Sequence, residues 1–194
     1  MKDAITDFKA NARGVILDHR AGNGGTLDAA ELVTTLVRPP DTALIFYSPM
    51  QRAGFAGPTT AADGIALFEQ FKSVSGMTVG APDYDADMPV ALVLHRDGSA
   101  SDYMPFGMQG AAKVKLFAPA ATAGAFSTFF EFSYWGGVSL RLASGDAIAA
   151  DGSALLGHGV QPDFLVLPKQ SDLLAGKDTL YEAALAWVQT ELKP

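Results

Sequence analysis

The chain has 194 residues, of which 48% are apolar and 18% are charged, a composition that fits one folded domain and excludes a disordered chain. Its net charge of −7 and its lack of a basic cluster argue against nucleic acid or an anionic membrane as a partner. No apolar run reaches the roughly 18 residues that a membrane-spanning helix needs, and the amino terminus carries no signal-peptide pattern.

Apolar periodicity and turn residues predict alternating strands and helices along the first half of the chain. We expect helices over 3–11, 27–37, 65–72 and 102–110, and strands over 14–18, 42–47, 90–95 and 113–118. Strand-like segments follow at 126–133, 138–143, 147–150 and 163–167, before an amphipathic helix at 177–192. The Gly/Pro-rich stretch 48–64 is expected to be a mobile loop over a cleft. This order predicts an α/β fold with a mostly parallel sheet and packed helices.

Aromatic side chains are concentrated between Phe126 and Trp135. Phe130, Phe132 and Tyr134 alternate along this segment, which is typical of one buried face of a strand. We therefore expect these rings to pack in the core rather than to line a substrate pocket.

A strand, a loop and a helix are predicted over residues 14–37. The loop contains the open turn Gly22-Asn-Gly-Gly25, and Thr26 or Asp28 caps the helix that follows. Glycines let backbone N–H groups approach a bound atom closely, and a helix start adds partial positive charge. The loop is therefore a candidate site for an oxyanion or a phosphate. It lacks the Lys-Ser/Thr of a P-loop and the spacing of a dinucleotide fingerprint, which argues against a nucleotide.

A turn of small residues, Asp97-Gly-Ser-Ala-Ser-Asp102, comes directly after the apolar strand at 90–95. Gly98 permits a sharp bend, so that the Ser99 hydroxyl can stand clear of the backbone beside free N–H groups. The same residue types also build ordinary turns and helix N-caps. Ser99 is thus a candidate nucleophile whose role depends on residues elsewhere in the chain.

Three blocks of sequence carry a resemblance to a known family. They are Leu17-Asp-His-Arg-Ala-Gly-Asn-Gly-Gly25, then Gly98-Ser-Ala-Ser-Asp102 with Gln109, and finally Gly137-Val-Ser-Leu-Arg-Leu142 with Asp151-Gly-Ser153 and Gly157-His-Gly-Val-Gln-Pro-Asp163. In this order they resemble the catalytic core of the carboxyl-terminal processing, or tail-specific, serine peptidases. That family also contains the tricorn core protease and the interphotoreceptor retinoid-binding modules.

The resemblance implies a ClpP/crotonase-like core and one peptidase domain over residues 1–194, a fragment or a reduced member without the upstream PDZ or helical regions common in the family. It implies a peptide or protein substrate, no cofactor, and a periplasmic or secreted location. It places the nucleophile at Ser99 and the oxyanion-hole donors at the backbone amides of Ala100 and of Gly24 or Gly25. Asp102 and Asp18 are then expected to be structural supports, Asp102 by capping helical N–H groups and Asp18 by a tether to the loop or to Arg20.

The general base is where the chain departs from the family. The best-known branch carries a lysine downstream of the serine, but the corresponding stretch here, Pro119-Ala-Ala-Thr-Ala-Gly-Ala-Phe126, has none and is closer to the lysine-less tricorn or retinoid-binding branch. The glutamate of the tricorn-like pattern is replaced by Leu155 or Leu156, and its histidine would precede Met1. His158, in the Gly-x-Gly-Val loop, is the candidate base.

The positions of the other ionisable side chains favour roles outside the proton transfer. His95 is expected to point away from Ser99, His19 to flank the glycine loop and line the cleft, and Lys113 and Lys115 to lie on a solvated strand face. No histidine pair has metal-ligand spacing, and the chain has no cysteine, so no metal site is expected. Three functions stay open: a serine peptidase, an inactive module that binds a peptide or a hydrophobic ligand, and a crotonase-like enzyme acting on thioesters.

Overall fold

A computed structural model describes residues 2–49, 60–72, 76–80, 85, 87–127 and 129–193 of the chain. The helices in these ranges are α1 (Lys2–Asn11), α2 (Asp28–Thr34), α3 (Ala61–Phe71), α4 (Ala100–Met108), α5 (Gln170–Leu174) and α6 (Thr179–Glu191). The strands are β1 (Val15–Asp18), β2 (Ala43–Pro49), β3 (Gly76–Thr78), β4 (Val90–Val93), β5 (Val114–Ala118), β6 (Phe129–Ser133), β7 (Ser139–Ala143), β8 (Gly145–Ala149) and β9 (Phe164–Leu165). Of the helices in this part of the chain, none is long and apolar enough to cross a membrane.

A four-stranded parallel sheet, in the order β1-β4-β5-β9, lies at the centre of the molecule. Successive side chains of β4 point to opposite faces of this sheet. Val90 and Leu92 join a core that includes residues of α1, α2 and α4, whereas Ala91 and Val93 pack with residues of α6. Because helices cover both faces, all four β4 residues are buried. The predicted α/β fold with a parallel sheet and packed helices is confirmed.

A second, antiparallel sheet of order β3-β2-β8 extends the core. Ile45 of β2 and Met77 of β3 are fully buried in the main cluster, and Phe68 of α3 packs against Ile148 of β8. Periodicity did not predict β3 or α5, because elements of three and five residues are too short to show a repeat.

The predicted loop at 48–64 is wrong at both ends. β2 continues to Pro49, and α3 begins at Ala61 because the Thr60 side chain accepts a hydrogen bond from the Asp63 N–H at 3.1 Å and caps the helix. Residues 50–59, the middle of that prediction, lie outside the described ranges.

The aromatic segment does not pack in the core, so that prediction is wrong. Among the described residues, β6 and β7 pair with each other and with no other strand, and every residue of both strands is exposed. One face of this hairpin is wholly apolar and between 44% and 61% exposed, and consists of Phe130, Phe132, Tyr134, Val138, Leu140 and Leu142. The alternation is real, but burial also needs a second layer, and the described residues place none over this face. The buried ring is Phe126, which meets Tyr103 and Phe106 edge-on.

Substitutions in these two aromatic environments are expected to differ sharply in cost. Phe132→Ser removes a ring that is 46% exposed and should lower the free energy of unfolding by about 1 kcal/mol or less. Phe126→Ala leaves a cavity in the core and should cost about 3–5 kcal/mol. Urea denaturation followed by circular dichroism measures both values. Equal losses would show that the hairpin face is covered in solution.

Candidate functional site

The candidate site lies where β1 and β4 end, at the same edge of the parallel sheet. Asp18 is paired with Val93, so the loops that follow the two strands emerge side by side. The N–H of His19 donates to the Val93 carbonyl at 2.9 Å and carries the pairing one residue further. Ligands of open α/β sheets bind at the carboxyl ends of the strands, and both sequence segments singled out above, the glycine loop and the serine turn, meet at this edge.

Ser99 sits at the turn between β4 and α4 with φ 59° and ψ −132°. A positive φ costs a serine about 1–3 kcal/mol and persists only where the surrounding structure enforces it. The expected bend at Gly98 therefore falls one residue later, on the serine itself. The side chain is half-buried, and its hydroxyl forms no hydrogen bond with the residues that the structure describes. A serine on such a strained strand-to-helix turn has the geometry of a nucleophile elbow.

The glycine loop lies directly against Ser99. Gly24 has φ +90°, and a Cβ built on it would lie 2.8 Å from the Ser99 Cβ and 3.2 Å from its Oγ. Only glycine fits this close approach. Two segments that lie far apart in the sequence thus form one face of a small cleft.

Of the backbone N–H groups expected to form an oxyanion hole, one already donates a hydrogen bond within the described part of the chain and two do not. The Gly24 N–H donates to the Ser101 Oγ at 2.9 Å. The N–H groups of Ala100, at the start of α4, and of Gly25 have no acceptor among the described residues. Ala100, next to Ser99 in the chain, and Gly25, next to Gly24, therefore keep donors without an acceptor among the described residues, whereas the Gly24 donor is held by Ser101.

Asp102 joins the start of α4 to the loop at 121–125. Its side chain is completely buried, and its two oxygens accept from the Gly124 N–H at 2.9 Å and the Ala125 N–H at 2.7 Å. The carboxylate therefore caps a neighbouring loop, whereas a capping role within its own helix was expected. Residues 121–125 of that loop include no ionisable side chain.

A histidine and a buried carboxylate pair beside the serine turn. His19 Nδ1 lies 2.8 Å from Asp97 Oδ2, with His19 31% and Asp97 1% exposed. The position of His19 beside the glycine loop was predictable from the sequence, whereas its pairing with Asp97 was not. The parallel pairing of β1 with β4 brings the two residues together, because His19 follows β1 directly and Asp97 precedes the Gly98-Ser99 turn after β4.

A cavity of about 220 Å³ opens beside this pair. His19, Gly24, Ala100 and Ser101 form its polar side. Its other wall is apolar and consists mainly of Leu17, Ala29, Ala30, Val33 and Met104. The cavity is large enough for one apolar side chain of a ligand.

The other two histidines lie apart from this pair. His158 is exposed, and its backbone packs against Gly124 while its N–H donates to the Leu155 carbonyl at 2.9 Å. His95 is exposed and lines a different cavity with Pro119 and Lys177. The role of His158 as general base stays a prediction.

Asp18 also lines the cavity, and its carboxylate is paired with Arg20. The Arg20 Nε donates to it at 2.9 Å, and the same guanidinium binds Asp178, the N-cap of α6. The hydrogen bonds from Arg20 hold the pKa of the Asp18 carboxyl below its ordinary value. Across the described ranges, no group of three or more His, Asp or Glu side chains is placed to hold a metal ion.

Comparisons with known proteins agree with this architecture. A putative peptidase from Parabacteroides merdae superposes with a TM-score of 0.71 at 17% identity, over 96% of this chain and 56% of that one. A putative S41 protease from Bacteroides fragilis gives 0.62 at 17% identity, over 97% and 48%. The photosystem II D1 C-terminal processing protease gives 0.55 at 15% identity, over 84% and 37%.

The chain thus spans between 37% and 56% of the length of these structural neighbours, and at this level of identity they show the fold alone. No curated protein is similar enough in sequence to count as a match. The sequence model of peptidase family S41 matches residues 1–166, which is most of the chain. Together with the fold, this match shows that the chain belongs to peptidase family S41.

Proposed function

We propose that the chain is a serine peptidase that hydrolyses peptide bonds with Ser99 as its nucleophile. The observation that carries this proposal is the conformation of Ser99, whose strained φ of 59° presents a half-buried hydroxyl beside the free N–H of Ala100 and against Gly24. Family membership supports peptide-bond hydrolysis over the chemistry of a thioester-active crotonase.

The donors beside Ser99 suit the charge that develops during acyl transfer. When the Ser99 oxygen attacks a peptide carbonyl, the carbonyl oxygen takes a negative charge. The N–H groups of Ala100 and Gly25 can bind that charge, and the amino end of α4 adds partial positive charge. Each well-placed donor lowers such a barrier by about 2.7–4 kcal/mol.

The cavity favours a substrate with an apolar side chain next to the scissile bond. Leu17, Ala30, Val33 and Met104 line it, and the carboxylate in its lining, Asp18, is already paired with Arg20. Its volume of about 220 Å³ limits the occupant to one side chain. Peptides with apolar carboxyl-terminal tails are therefore the substrates to test first.

Reaction with a fluorophosphonate tests the proposed nucleophile. The reagent is expected to add once per chain, and peptide mapping by mass spectrometry should place the adduct on Ser99. A folded protein that takes no label but binds apolar-tailed peptides would instead be an inactive binding module. An adduct on any other serine would also overturn the assignment.

Gly24→Ala is expected to slow this labelling at least tenfold. The added methyl would press on Ser99 from 2.8 Å, and alanine resists a φ of +90°. The movement that relieves this contact would displace the N–H of Gly25. Gly80→Ala is the matched control, because its Cβ would meet nothing within 4 Å. Equal labelling rates in the two variants would contradict the close approach of the loop.

A further inference from the structure

We propose that the Asp97–His19 pair is the general base for Ser99, with the Ser101 hydroxyl carrying the proton between them. This inference rests on the proposed peptidase function and supplies the base that the lysine of the best-known branch would otherwise provide. It assigns the role to a pair that only the tertiary structure assembles, since residues 19 and 97 are 78 positions apart.

The pair has the geometry of a base held by a buried carboxylate. Asp97 is 1% exposed and contacts Nδ1 of His19 at 2.8 Å. A carboxylate in that position holds the ring proton on Nδ1, so that Nε2 keeps a free lone pair, and it stabilises the cation that forms when Nε2 takes a proton. The hydrogen bond from the His19 N–H to the Val93 carbonyl fixes the backbone of His19 at the sheet edge.

Ser101 connects this pair to the nucleophile. A Cβ built on Gly22 would lie 2.7 Å from His19 Nδ1 and 2.8 Å from Ser101 Oγ, so the two side chains flank the same small volume. Ser101 is 5% exposed, and its Oγ accepts from the Gly24 N–H while Gly24 lies against Ser99. Ser101 therefore lies between the Asp97–His19 pair and Gly24, the residue that touches Ser99.

The remaining hydrogen-bonding capacity of Ser101 suits a relay. A hydroxyl has one hydrogen to donate and two lone pairs, and the Gly24 N–H uses one lone pair. The second lone pair can accept the Ser99 proton while the Ser101 hydrogen passes to His19 Nε2. Bond formation between the Ser99 oxygen and the carbonyl carbon leaves the negative charge on the carbonyl oxygen.

The same path serves the rest of the reaction. His19 returns its proton through Ser101 to the leaving nitrogen as the C–N bond breaks, which gives the acyl-enzyme and a free amine. A water molecule then attacks the ester carbon, its proton follows the same route, and Ser99 is regenerated with release of the acid. Each proton taken by His19 is given back, so no further reactant is needed.

The two lysines that the sequence places nearest after the serine turn are engaged elsewhere. Lys113 pairs with Glu191 and Lys115 with Asp163, both on the surface. The charged groups close to His19 are Asp97, with which it pairs, and Asp18 and Arg20, which neutralise each other. His19 is therefore the basic side chain that combines a buried partner with a place in the cavity wall.

The rate of Ser99 labelling by a fluorophosphonate, measured from pH 5 to pH 9, tests the inference. The natural chain should react faster as the pH rises from 5 to 8, the range in which imidazoles lose their proton. His19→Gln should react at least 100-fold more slowly at pH 8 and without this rise. Asp97→Asn and Ser101→Ala should each lose at least tenfold, whereas the exposed His95→Gln should keep the natural rate.

A rescue experiment separates chemistry from a structural effect. His19→Ala should regain labelling in added imidazole, which can enter the space left beside the cavity, and circular dichroism should show the native fold. If His19→Gln keeps the labelling rate and pH profile of the natural chain, the inference is wrong and the peptidase proposal stands. The same conclusion follows if His158→Gln is the variant that loses the rise of the labelling rate with pH. If the labelling rate of the natural chain does not change between pH 5 and pH 8, the inference about the general base is also wrong. If the natural chain takes no label on Ser99, both proposals fail.

Discussion

Ser99→Ala is expected to abolish fluorophosphonate labelling and to lower the cleavage of apolar-tailed peptides by about 10⁴-fold or more. Removal of a nucleophile leaves only the help that binding and the oxyanion donors give, and residual rates of this kind are far below those of the intact enzyme. Cleavage is measured by mass spectrometry of a peptide with an apolar carboxyl terminus, and labelling by the mass of the intact chain.

Two companion variants make this result specific. Ser153→Ala removes an exposed hydroxyl that binds Asp151 in a surface turn, and it should keep the natural rate. Ser99→Cys keeps a nucleophile at the same strained position and should retain modification by a thiol-reactive reagent. Unchanged cleavage by Ser99→Ala would remove Ser99 from the mechanism.

Asp102→Ala is expected to be among the most destabilising single changes, at about 3–5 kcal/mol of unfolding free energy. The carboxylate is completely buried, and both of its oxygens bind backbone N–H groups of the loop at 121–125. Without it, two donors are left unsatisfied in a dry site, and loss of one partner from a buried charged interaction carries a large cost. Urea denaturation of both proteins measures the difference.

Asp102→Asn and Asp151→Ala are the controls for that measurement. Asparagine keeps one acceptor oxygen but turns an NH₂ group toward the second donor, so its loss should be intermediate. Asp151 is exposed and, among the described residues, its side chain binds Ser153 in its own turn, so its removal should cost about 1 kcal/mol or less. A similar small loss in Asp102→Ala would show that water satisfies the loop amides.

The positions of the main strands and helices could be predicted from the sequence because they depend on local patterns. The apolar run at 90–95 is typical of a strand buried on both faces, and β4 occupies 90–93 of it. The turn residues around Ser99 and the glycines at 22–25 could also be singled out, since each signal lies within a few consecutive residues. Hence the fold class and the family followed from the chain itself.

Burial was not predictable in the same way, as the aromatic hairpin shows. Alternation tells which side chains share a face but not whether another layer covers that face. Phe130 and Phe132 share an apolar face as expected, yet within the described part of the chain β6 pairs with β7 alone and both rings are about half exposed. Phe126, a few residues earlier, is buried because it meets Tyr103 and Phe106 from α4.

By itself, the amino-acid sequence determined the α/β class, the serine turn and the glycine loop, because all three depend on short-range patterns of polarity and conformational preference. Only the tertiary structure decided which distant groups meet. The parallel register of β1 on β4 brings His19 to Asp97, and the path of the loop at 121–125 brings its amides to Asp102. Such contacts depend on strand order and register, which a single sequence does not specify.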